Sequence, residues 1–85
     1  MKLVLTRAAQ RRLGHLSPKM RAALIERLEV IAEDPVAKHL NVERIKGERG
    51  ASRPRQGDWR AIYRIEREAG EMRVRAVEAG GSVYR

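Results

Sequence analysis

The sequence predicts one α+β domain in two layers, a helical hairpin packed on an antiparallel sheet. Three observations carry this. Met20, Leu24, Leu28 and Ile31 recur at spacings of four, four and three, which lays one apolar stripe along a helix. Trp59, Ala61, Tyr63 and Ile65 alternate with Arg60, Ile62 and Arg64, as a half-buried strand requires. Short turn signals at Gly57-Asp58 and Glu68-Ala69-Gly70 then join the last three strand candidates into a meander. With 85 residues, one domain spanning 1–85 is expected.

Each element has a local cause. Lys2–Leu5 is rich in β-favouring residues and reads as a strand. Thr6 is an N-cap for a helix over 7–13, with Gly14 as a left-handed stop. Ser17 caps the next helix and Pro18 takes its first position, where a missing N–H costs nothing. Asp34-Pro35 ends it. The short Gly14-His15-Leu16 link makes the two helices a hairpin. Residues 36–50 read as a connection, with Leu40, Val42 and Ile45 as candidate anchors to the core. Arg53–Gln56 is extended, and Pro54 places it as a short or edge strand. Met72, Val74 and Ala76 form the last apolar face, opposite Arg73 and Arg75, and Gly80-Gly81 breaks that strand.

Composition excludes several chemistries. Without cysteine there is no disulfide scaffold, thiolate metal site or cysteine nucleophile. His15 and His39 read as surface residues, and no nucleophile elbow, P-loop or dinucleotide fingerprint is present. No metal or cofactor is expected. No apolar run approaches a membrane span, and no signal-peptide stretch opens the sequence, so a cytoplasmic setting without membrane contact is expected.

The remaining signal is arginine. Nineteen basic residues against 11 acidic give a net charge of +8. Between Arg44 and Arg60, six bases (Arg44, Lys46, Arg49, Arg53, Arg55, Arg60) face only Glu48 and Asp58. Arg53 and Arg55 project from one side of an extended segment, and the Gly57-Asp58 turn brings Arg60 beside them. Such forks hold a phosphodiester and stabilise charge building on its oxygens. Tyr84 is a candidate for base stacking or proton transfer. On spacing alone, a solvated basic face with Tyr84 capping the core fits equally well.

Several motifs in order resemble the RelE/ParE superfamily of bacterial type II toxins. The segment from Arg53-Pro54-Arg55 through Gly57-Asp58-Trp59-Arg60 to Ile62-Tyr63-Arg64-Ile65 is similar to the family's Y-R-x-R-x-G-D-Y-R-x-I-Y-x-I. Ile45-Lys46-Gly47 looks like its L-K-G, and Val83-Tyr84-Arg85 like its V-Y-R. The resemblance implies a RelE-like fold and, in the RelE branch, metal-free cleavage of mRNA on the ribosome by attack of the 2′-hydroxyl. Arg53, Arg55, Arg60 and Tyr84 would then form the catalytic set, with Arg44, Lys46, Arg49 and Arg85 contributing RNA contacts. An acidic cognate antitoxin is the implied partner.

One departure stands out. Ala79-Gly80 occupies the place of a basic pair that the family carries before its final tyrosine, which implies a weakened or inactive nuclease. Arg75 and Arg85 are the nearest candidates to replace it. The same resemblance leaves open a ParE-like toxin acting on DNA gyrase, or a non-catalytic antitoxin binder. On the nuclease reading, restoring arginine at position 80 is expected to raise activity.

Overall fold

The computed structural model describes residues 1–80. In chain order it contains β1 (Lys2–Leu5), α1 (Arg7–Leu13), α2 (Pro18–Glu33), β2 (Val42–Arg44), β3 (Ala51–Gln56), β4 (Trp59–Glu66) and β5 (Glu71–Ala79). The five strands form one sheet in the order β1-β5-β4-β3-β2. β1 runs parallel to β5, and all other neighbours are antiparallel.

Both helices begin where their caps sit. The Thr6 hydroxyl accepts from the Ala9 N–H at 3.2 Å, and the Ser17 hydroxyl from the Met20 N–H at 3.2 Å. The stripe on α2 is the centre of the core: Leu24, Leu28 and Ile31 are fully buried, with Met20 partly so. They meet Ala61 and Tyr63 of β4 and Met72, Val74 and Val77 of β5. Each fully buried Leu or Ile contributes about 1.5–3 kcal/mol relative to exposure.

The hairpin is fastened differently from the sequence expectation. Gly14 is not left-handed; its φ of −62° and ψ of −20° continue the right-handed turn. The end of α1 is instead satisfied from α2. The Arg21 guanidinium donates from Nε to the Leu13 carbonyl at 3.0 Å and from Nη2 to the Leu16 carbonyl at 3.1 Å. A helix terminus leaves such carbonyls without partners, and a charged fork answers two of them together.

Four features of the sheet depart from the sequence reading. β2 is a further strand, only three residues long, which pairs Val42 with Pro54, Glu43 with Arg53 and Arg44 with Ser52. It covers β3, so β3 is an interior strand despite Pro54. The Arg55 N–H donates to the Asn41 carbonyl at 2.9 Å, which aims odd-numbered amides of β3 at β2 and the missing Pro54 N–H at β4. Pairing with β4 holds at Ala51, Ser52, Arg55 and Gln56 and lapses between them. The proline therefore interrupts one ladder locally, and its ring is buried on the helix side.

The third departure is a bulge. Ile62 pairs with Ala76 while Tyr63 pairs with Val74, which leaves Arg75 as the extra residue. Beyond it the alternation flips, and Val77, not Ala76, enters the core. Arg75 is held by a bidentate pair to Glu48 in the β2–β3 loop, at 2.5 Å and 2.8 Å. The fourth concerns the connection: Leu40 is 80% exposed and does not anchor it, whereas Val42 packs on the core. Among the described residues no helix is long and apolar enough to cross a membrane.

Two measurements check these fastenings. Replacing Arg21 by Ala leaves the α1 carbonyls without their charged donor, so unfolding in urea is expected to show a loss of about 1–3 kcal/mol. The hydrogen bond from Arg75 holds the Glu48 carboxyl below its usual 4.5. Its stabilisation is therefore complete above pH 4.5 and is lost as pH falls through the lowered value. A Glu48→Gln variant should show a flatter melting temperature profile between neutral pH and the acid range; an unchanged acid slope would contradict it.

Candidate anion-binding site

The site lies on the sheet face away from the helices. Pro54 turns inward, so its neighbours Arg53 and Arg55 turn outward. The two-residue Gly57-Asp58 connection, with Gly57 at φ +60°, closes the β3–β4 hairpin and sets Arg55 directly opposite Arg60. Residues paired across antiparallel strands share a face. The three arginines thus converge on a groove of about 210 Å³, whose other lining residues are Asn41, Val42 and Glu43. Asn41 takes the left-handed conformation at φ 58°, which turns the connection into β2 and aims its carbonyl at Arg55.

The electrostatics are lopsided. Among the described residues, three guanidinium groups share the groove with one carboxylate, Glu43, whose Oε1 is 3.5 Å from Arg53 Nε. The Nε atoms of Arg53 and Arg60 are buried without a hydrogen-bond partner among the described residues. Withdrawn from water, such donors carry a desolvation cost that an incoming anion offsets. Like charges brought together repel, and an anion relieves that as well. Arginine suits the position because it remains charged and presents a planar fork to phosphate or carboxylate oxygens.

The other sequence candidates are placed elsewhere. Arg44 pairs with Ser52 on the helix side of the sheet, where its charge acts on the Tyr63 phenol. Lys46 and Arg49 are exposed in the β2–β3 loop and do not line the groove. Arg75, a candidate substitute for the absent basic pair, is engaged by Glu48. Tyr84 and Arg85 lie outside the described residues. Tyr63 does not serve the groove: it faces the helices, and burial pushes its hydroxyl above the usual 10.0. Glu43 and Asn41 were not legible as site residues, because only the pairing of β2 with β3 brings them beside Arg53. Among the described residues, no three His, Cys, Asp or Glu side chains gather as a metal site would require.

This architecture matches solved toxin structures. The isolated E. coli RelE toxin superposes with a TM-score of 0.82 at 18% identity, covering 98% of this chain and 89% of that one. The chain has the RelE toxin fold. The RelBE2 toxin–antitoxin complex from Mycobacterium tuberculosis matches at a TM-score of 0.74 and 25% identity, over 92% of this chain and 95% of that one. A YoeB/ParE toxin from Agrobacterium tumefaciens matches at 0.76 and 20% identity, over 95% and 100%. No family model and no curated protein sequence matches the chain. The α+β architecture expected from the sequence is thus the RelE-like one, and it fits a toxin of the RelE/ParE superfamily.

Glu43 competes with any anion for Arg53. Since it is a solvent-exposed partner, its removal is worth about 0.4–1 kcal/mol. Glu43→Gln is therefore expected to tighten binding of a short single-stranded RNA by about two- to fivefold in fluorescence anisotropy. Weaker binding would show that the carboxylate supports the ligand instead of opposing it.

Proposed function

We propose that this chain is the toxin of a type II toxin–antitoxin pair and that its groove grips an RNA phosphodiester for ribosome-dependent cleavage. The observation that carries this reading is the convergence of Arg53, Arg55 and Arg60 on one groove of a RelE-like fold. Solved neighbours that share the fold include toxin–antitoxin complexes from E. coli, Mycobacterium tuberculosis and Pyrococcus horikoshii. A chain of net charge +8 suits an acidic antitoxin, because opposite charge speeds encounter and fixes register.

The reaction proposed is the one the family resemblance implies, and the groups in the groove suit it. The 2′-oxygen attacks the adjacent phosphorus, and the bond from phosphorus to the 5′-oxygen breaks. The products are a 2′,3′-cyclic phosphate and a 5′-hydroxyl. Glu43 is the carboxylate in the lining that can take the 2′-hydroxyl proton. The leaving 5′-oxygen takes up a proton from solvent water, and Glu43 returns its own proton to solvent. Arg53, Arg55 and Arg60 hold the phosphate oxygens and stabilise the added negative charge of the five-coordinate transition state. Ribosome dependence supplies what a small open groove lacks, which is alignment of the 2′-oxygen with the bond to be broken. Tyr84 belongs to this proposal only through the motif it shares with the family.

Incubating the purified chain with mRNA-programmed ribosomes is expected to yield fragments that end in a cyclic phosphate, with naked mRNA left intact. Arg60→Ala should slow cleavage by on the order of 100- to 1,000-fold. Absence of ribosome-dependent cleavage, together with inhibition of DNA gyrase supercoiling, would move the reading to a gyrase-directed toxin.

A further inference from the structure

Gly80 stands where the family resemblance calls for a basic side chain, and its surroundings show what the glycine allows. It follows β5, is buried, and its N–H donates to the Asp58 carbonyl at 2.7 Å. That bond ties the end of β5 to the β3–β4 turn, so the Gly80 backbone is fixed relative to the groove. Glu78 pairs with Arg60 across the sheet, and Gly80, two residues on, shares the same face. The Arg60 side chain lies directly on the bare Cα. A Cβ built there would overlap Arg60 Nε and would stand 3.0 Å from both its Cδ and its Cζ.

We infer that Gly80 is a positioning residue: the space left by its missing side chain holds Arg60 in its groove conformation. This rests on the reading of the groove as an anion site and adds to it the cause of Arg60's placement. The Nε of Arg60, buried and without a partner among the described residues, is the mark of that placement, since a freely solvated arginine would expose it. Any larger residue at position 80 drives the guanidinium off its seat. An arginine introduced there adds one fork while displacing another, which opposes the simple expectation that restoring a basic residue restores a site. The backbone of Gly80 is not left-handed, so alanine fits it without strain and the effect of a single methyl can be read cleanly.

The test is a double-mutant cycle on the full chain with two readouts. The first is anisotropy of a fluorescein-labelled single-stranded RNA with wild type, Gly80→Ala, Arg60→Ala and the double variant. The second is the Arg60 Nε–H signal in proton–nitrogen correlation spectra. Arg60→Ala is expected to weaken binding about tenfold, the equivalent of about 1.4 kcal/mol for a charge-assisted contact. Gly80→Ala should weaken it at least threefold, move the Arg60 Nε–H signal and speed its exchange with water. The double variant should bind no more weakly than Arg60→Ala alone. If the Arg60 signal is unchanged in Gly80→Ala, or the two losses simply add, the positioning role is overturned. If Arg60→Ala binds RNA as wild type does, the anion-site reading fails, and the spectra still decide whether Gly80 seats the side chain.

Discussion

A single extra residue in β5 determines which face of the sheet carries each part of the site. Strand side chains alternate with a period of two, so one inserted residue reverses every position beyond it. Before the bulge at Arg75, Met72 and Val74 point to the helices; after it, Val77 does. Without the insertion, Val77 would face solvent, and Glu78 and Gly80 would turn toward the core. With it, Gly80 comes to lie under Arg60. The bulged residue is also held by charge, since Glu48 takes the Arg75 guanidinium through both oxygens. The apolar core and the arginine groove are thus set by the same register, and neither can be shifted without the other.

The two faces obey opposite rules. On the helix side, Leu24, Leu28 and Ile31 exclude water and reward close packing. On the open side, Arg53, Arg55 and Arg60 are crowded to an extent that a folding criterion alone would not favour. Proline at position 54 serves both faces. Its ring fills the core, its missing N–H costs one local interruption of the β3–β4 ladder, and its fixed place in the alternation sends both flanking arginines outward. The three-residue β2 then shields the other edge of β3 and brings in Glu43.

Much of this was legible in the sequence where the signal is local. Thr6 and Ser17 cap their helices as their positions imply, the α2 stripe is the core, and the Gly57-Asp58 turn folds Arg60 onto Arg55. What was not legible is long-range. β2 has three residues and no alternation to betray it, and its existence depends on β3 having an unsatisfied edge. The bulge is a mismatch between two strands and leaves no trace in either alone. Arg44 shows the same limit: it counts toward the basic segment, yet its pairing with Ser52 turns it to the other side of the sheet. Charge density along the chain identified the region, and strand parity selected which of its arginines share a groove.

That selection bears on why the groove is made of arginine under partial cover. A lysine ammonium keeps its water and moves freely, so a phosphate would have to strip it and hold it still. Arg53 and Arg60 have each already lost water at Nε, and among the described residues neither has regained a hydrogen bond there. Folding of the core has met that desolvation cost before any anion arrives, so an anion gains donors that are charged and fixed in direction. The absence of a side chain at Gly80 belongs to the same economy. In this chain a small residue leaves room for a seated arginine, which keeps that positive fork aimed at one point on an open sheet.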